Sequence, residues 1–149
     1  MLRERFNEDL KTAMKSRDQA SVSTLRMIQS TLKDRDIAAR PAAQIDEAAI
    51  IDMLQKMVRQ RQESIELYKQ GGRQELVDKE QAEIDLIERY MPKKLSDAEQ
   101  EAAIAKAIAD AGATSIKDMG KVMNALKAGY AGRMDFSKVG PALKAKLGG

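Results

Sequence analysis

The residues best suited to chemistry lie late in the chain, where Lys117, Gly120, Lys121, Lys127, Gly129, Gly132 and Arg133 follow one another within a short span. Lysine and arginine neutralise phosphates and release their counterions, which gives affinity for a nucleic-acid backbone without reading its sequence. Glycines among them let backbone amides approach phosphate oxygens that a side chain would hold away. From Ser115 onward there are seven basic residues against two acidic ones, Asp118 and Asp135. The whole chain is only +3, but residues 1–92 carry 16 Lys and Arg against 17 Asp and Glu, and residues 93–149 carry 10 against 6. The positive excess therefore belongs to the second part. Its other reading is an ordinary solvated lysine face.

Other chemistries are excluded or poorly supplied. The sequence has no His and no Cys, so the commonest general base, the most reactive nucleophile and His/Cys zinc sites are all missing. Asp and Glu are plentiful, but interspersed with Lys and Arg on helices they read as exposed i,i+4 pairs worth a few tenths of a kcal/mol each. Gly120-Lys121 lacks the earlier glycine and the following Ser or Thr of a phosphate loop. A Ser–Lys amide chemistry would need a shaped loop with an oxyanion hole, and none is visible. The reading is therefore of no catalytic residue, no metal site, no cofactor and no small-molecule substrate. Without cysteine nothing points to an oxidising compartment. The charged start MLRERFNEDLKTAMK is unlike a signal peptide, and no run approaches the ~20 apolar residues of a membrane span. The expected setting is cytoplasmic, with no membrane partner.

The elements that would position the basic stretch are helical. Aromatic residues make up 3% and charged residues 33% of a chain rich in Ala, Lys, Glu, Gln, Leu and Met, a balance that favours helix over sheet. Leu2, Phe6, Leu10, Ala13 and Met14 mark a first helix over about 2–15. Asp18 caps a second, faced by Val22, Leu25, Ile28 and Leu32 and ended near Pro41. Asp46 caps a third and longest one, with Ile50, Met53, Leu54, Met57, Arg61, Ile65 and Tyr68 on one face until Gly71-Gly72. Leu76, Ile84, Ile87 and Met91 mark a fourth, closed by Pro92. The expected architecture is all-α: an N-terminal bundle of about four helices over 1–92, then a small three-helix module over 93–149.

In that module Ser96 and Glu99 have the spacing of a capping box, opening a fifth helix that ends at Gly112. Ser115 and Asp118 repeat the signal more weakly before a sixth, faced by Ile116, Met119, Val122, Met123 and Leu126. Ala128 to Arg133 reads as a loop. Phe136, Val139, Leu143 and Leu147 mark a seventh helix, beginning near Ser137 so that Pro141 falls in its first turn. For Gly120 the alternative to phosphate contact is close helix packing. Arg26, Arg59 and Arg61 sit beside apolar stripes, where packing of their stems and pairing with Glu63 or Glu66 is expected.

Several strings resemble one known family. Leu25-Arg26-Met27-Ile28, Arg59-Gln60-Arg61-Gln62-Glu63-Ser64-Ile65 and Met119-Gly120-Lys121-Val122-Met123, with Tyr68-Lys69-Gln70-Gly71-Gly72-Arg73 and Tyr90-Met91-Pro92-Lys93-Lys94-Leu95-Ser96 between them, resemble the YqeY family in order across nearly the whole chain. The helical unit is also similar to the C-terminal tail of the GatB subunit of the tRNA-dependent amidotransferase, and to a module appended to some glutaminyl-tRNA synthetases. The resemblance implies a non-catalytic tRNA-binding or tRNA-enzyme accessory role, with tRNA and a synthetase or amidotransferase subunit as partners. Carbon–nitrogen ligation with glutamine as amide donor is, by the same resemblance, work of the larger assemblies. Carried over by position, Gly120, Lys121, Lys127, Gly129, Gly132 and Arg133 match the family's glycine-containing basic stretch. Asn124 departs from it, standing where the family often has a second glycine. With only Tyr130 and Phe136 as aromatics here, a stacking platform for unpaired bases is disfavoured, and folded tRNA suits the module better than a single strand.

Overall fold

The structure, a computed structural model, describes residues 1–130 and 132–148, and every regular element among them is a helix. The chain divides into two compact units, Met1–Met91 and Pro92–Gly149.

The first unit has four helices: α1 (Leu2–Lys15), α2 (Gln19–Ala38), α3 (Glu47–Gln70) and α4 (Gln74–Glu88). Their starts follow the sequence signals. Asp18 accepts a hydrogen bond from the Ser21 amide at the head of α2, and Asp46 does the same for the Ala49 amide at the head of α3, each satisfying one of the orphan donors of a first turn. The longest connection, residues 39–46 between α2 and α3, is tied by polar bonds. Arg3 of α1 grips Asp36 with both Nη atoms at 2.8 Å and donates to the Ile45 carbonyl, while Asp36 also accepts from the Ile45 amide. The hydrogen bonds from Arg3 and from that amide hold the Asp36 carboxyl down at about 2. Between α3 and α4 the turn runs through Gly72 at φ 67°, a left-handed conformation that costs glycine nothing.

The apolar faces meet in one core in which Phe6, Leu25, Ile28, Ile50, Met53, Leu54 and Ile87 are all but sealed from solvent. A charged pair sits within it. Arg61 donates from Nε to Glu83 Oε2 at 2.9 Å and from Nη1 to the Met57 carbonyl at 3.0 Å, with Nη2 directed at the Met27 sulfur. The guanidinium thus pairs with α4, not with Glu63 or Glu66, because Arg61 lies on the buried face of α3 and its own-helix acids lie on the exposed one. The end of α4 also differs from expectation. The helix stops at Glu88, short of Pro92, in a series of tight turns from Arg89 to Met91. There Tyr90 swings its ring edge-on to Phe6, centroids 4.8 Å apart.

The second unit holds α5 (Asp97–Ala111), a single 3-10 turn (Ile116–Asp118), α6 (Met119–Tyr130) and α7 (Phe136–Gly148). Ser96 and Glu99 form the reciprocal capping box, and α5 closes on Gly112 at φ 63°. Ile104, Val122, Leu126, Met134, Val139 and Leu143 make its core. Ser115 makes no side-chain cap; the Asp118 carboxylate instead accepts from the Thr114 amide at 3.0 Å, which yields the short 3-10 turn rather than a capped helix start. Helix α7 begins at Phe136 and runs through Pro141, which therefore lies beyond the first turn. It is exposed there, and the amide it lacks would have met only the Ser137 carbonyl one turn back.

Replacing Glu83 by Ala leaves the Arg61 charge buried without its partner, and about 3–5 kcal/mol of stability should be lost in urea unfolding followed by circular dichroism. The apolar double replacement R61M/E83L should recover most of that loss. A cost below about 1 kcal/mol for E83A would show that the pair is solvated.

Candidate functional site

Helix α6 determines what the second unit can present. Val122 and Leu126 are fully buried, and Met119, Met123 and Tyr130 pack partly beside them. Residues four apart share a helix face, so the opposite face is Gly120, Asn124 and Ala128, all exposed, with Lys121 and Lys127 also exposed along its edges. Between α5 and α6 runs a cleft of about 520 Å³ floored by small residues, Ala103, Ala107, Ala125 and Gly129 among them, with Lys106, Asp110 and Lys121 at its sides.

The seven residues singled out from the sequence fall into three groups. Gly120 and Gly129 are exposed helical positions where an added Cβ would meet no atom within 4 Å. Close helix packing therefore does not explain Gly120. Each such glycine costs a helix roughly 1 kcal/mol relative to alanine. Lys117 and Lys127 are exposed and make no hydrogen bond or ion pair among the described residues; Lys127 also stands in the last turn of α6, where a cation favours the helix dipole.

The other basic residues are committed to the fold. Lys121 donates from Nζ to the Ala111 carbonyl at 3.3 Å, closing the end of α5. Arg133 is half-buried, donates from Nε to the Lys93 carbonyl at 3.0 Å and has its guanidinium 5.9 Å from the Tyr130 ring centroid. Gly132 is buried at φ 75° and serves the backbone turn. The stretch read as a loop from Ala128 to Arg133 is helical as far as Tyr130, since the Val122–Leu126–Tyr130 stripe keeps the helix against the core, and Ala131 lies outside the described residues. Among the described residues no group of acidic side chains is arranged to hold a metal ion, and no helix is long and apolar enough to cross a membrane.

A second polar cluster, in the first unit, escaped the sequence reading because its members are far apart in the chain. The Arg5 guanidinium lies 4.8 Å from the Tyr90 ring centroid and donates to the Arg89 carbonyl at 3.5 Å. The Tyr90 hydroxyl donates to Asp9; burial first, then this bond and the Asp9 charge, push its pKa well above the usual phenol range.

A family model described as Yqey-like protein matches residues 3–147. The chain belongs to the YqeY family. Curated relatives carry the name Altered inheritance of mitochondria protein 41, mitochondrial: that of Eremothecium gossypii is 40% identical over 86 residues, 58% of this chain and 46% of the relative. The Lachancea thermotolerans protein is 35% identical over 86 residues, with the same shares covered. The Saccharomyces cerevisiae protein is 37% identical over 83 residues, 56% of this chain and 44% of its own length. This YqeY-family chain thus matches less than half the length of those relatives. Their names overturn the expectation of a cytoplasmic setting. That expectation rested on the lack of cysteine and of a signal-like run, and a cysteine-free composition speaks only against dependence on disulfides.

The glycines of α6 and of the turn after it should separate by substitution. G120A and G129A should each raise the melting temperature of the chain, by the equivalent of about 0.5–1 kcal/mol. G132A, forced to hold φ 75°, should lower it by about 1–2 kcal/mol. Differential scanning calorimetry distinguishes them, and destabilisation by G120A would mean that a neighbour fills the space beside it.

Proposed function

We propose that this YqeY-family chain is a non-catalytic accessory of tRNA enzymes that holds folded tRNA by its phosphate backbone, through the exposed face of α6 and the 3-10 turn before it. The observation that carries the reading is that Gly120 sits exposed on a helix with no atom near a would-be Cβ, with Lys127 two turns on along the same face and Lys117 in the turn before it, neither partnered among the described residues. Such a glycine weakens the helix without serving its packing. A closely approaching external backbone is a use for it, and the neighbouring lysines favour one that carries the negative charge of a phosphate chain.

In this reading Lys117 and Lys127 are the principal phosphate contacts and Asn124 a neutral donor between them. Lys121 and Arg133 contribute field while keeping the bonds that close α5 and the 93–95 segment. The absence of His and Cys from the sequence supports an accessory role. Glutamine-dependent carbon–nitrogen ligation would then be assisted by this chain within a larger assembly and not performed by it.

A second reading, docking on a synthetase or amidotransferase subunit, is favoured by one feature, the small-residue cleft between α5 and α6, whose Ala and Gly floor would admit a helix at close range.

Titration of the full chain with unmodified tRNA at several salt concentrations tests the first reading. Binding should weaken steeply with salt, and K117A and K127A should each reduce the slope of log K against log salt by roughly one, whereas K79A in α4 should not. No binding at low salt, or slopes indifferent to both lysines, would overturn it.

A further inference from the structure

Beyond the surface of α6, the first unit holds a pocket of about 290 Å³ where α1, the head of α2 and the end of α4 meet. Its chemistry is set by two arginines. Arg5 comes from α1 and Arg89 from the cap of α4, and among the described residues neither guanidinium has an ion-pair partner, although the chain's other salt bridges engage Arg3, Arg61 and Arg73. Arg5 is held in place by stacking on Tyr90, with its centre 4.8 Å from the ring centroid. That stacking orients a planar cation at little cost in side-chain freedom. The ring is itself fixed, edge-on to Phe6 and bonded through its hydroxyl to Asp9.

The acids lining the pocket are already engaged. Asp9 accepts from Tyr90, and Asp18 accepts from the Ser21 amide at 3.2 Å and from the Ser21 hydroxyl at 2.6 Å as the cap of α2. Thr12 also lines the pocket, and its hydroxyl makes no hydrogen bond among the described residues. Two arginines from different helices and a threonine thus line one open volume.

We infer that this pocket is a binding site for a phosphate group, with Arg5 and Arg89 as its charged donors and Thr12 as a neutral one. Arginine is suited to the task because its planar set of donors meets two oxygens at once. A tetrahedral oxyanion offers enough acceptors for donors arriving from separate elements. The volume leaves room for whatever carries the phosphate, which is either the backbone of an RNA or a free phosphate compound. Asp9 and Asp18 keep their charges while they accept these bonds, and both oppose the anion, so the site is tuned weak. The inference is independent of the reading given for α6, since it concerns other residues in the other unit.

The test is titration of the full chain with inorganic phosphate at low, constant ionic strength, following the side-chain Nε–H resonances of the arginines by NMR. The Arg5 and Arg89 signals should move saturably. R5Q or R89Q should weaken the response roughly fivefold or more, with circular dichroism confirming that helicity is kept. D18N, which preserves the cap because Asn caps as well as Asp, should strengthen it. A short RNA hairpin forms the second arm. If it moves the same two signals and inorganic phosphate competes, an RNA backbone is the source; if only inorganic phosphate moves them, a free phosphate compound is. Either result supports the site. Equal movement with matched chloride, a response unaltered by both R5Q and R89Q, or weaker binding by D18N would overturn it.

Discussion

The second unit depends on the rotation of α6 about its own axis. Burial of Val122 and Leu126 in the core with Ile104, Val139 and Leu143 removes large apolar side chains from water, worth roughly 1.5–3 kcal/mol for each one fully buried. Nothing on the exposed side of the helix competes with that. Once those side chains face inward, the 3.6-residue period sends Gly120, Asn124 and Ala128 outward. The outer face is then nearly bare backbone edged by lysines. A rotation by one residue would sink Lys121 into the core in one direction and Lys127 in the other, so the same burial that folds the unit also presents its charge.

In the first unit the core carries a polar element. The Arg61–Glu83 pair joins α3 to α4, and Met57 and Met27 complete the shell of the guanidinium. A buried pair of this kind adds little net stability against apolar replacements. What it does is penalise any register of α3 against α4 that separates the charges. The Arg3–Asp36 fork acts comparably at the surface, fastening the connection between α2 and α3 to α1.

Much of this was legible in the sequence where the governing physics is local. Asp18, Asp46 and the Ser96–Glu99 box each mark a helix start because the cap and its amide are three residues apart. The apolar periodicity placed Val122 and Leu126 inside for the same reason. Longer-range features were not legible. Lys121 and Arg133 read as free cations, yet each donates to a carbonyl, of Ala111 and Lys93 respectively, and sequence distance hides such bonds. Pro92 marks a stop in the sequence, but tight turns that bring Tyr90 onto Phe6, a contact between residues far apart in the chain, end α4 earlier. The arginine pocket joins Arg5 to Arg89 across most of the first unit, and no spacing rule connects them.

Of the lysines between Lys117 and Arg133, then, those with no internal bond among the described residues are Lys117 and Lys127, and these bear the account of tRNA holding. Chemical acetylation of the full chain, read by mass spectrometry with and without saturating tRNA, tests it most directly. Protection concentrated at Lys117 and Lys127, with Lys11, Lys56 and Lys79 of the first unit labelled as before, is the predicted result. Unchanged labelling of Lys117 and Lys127 in the presence of bound tRNA would contradict it.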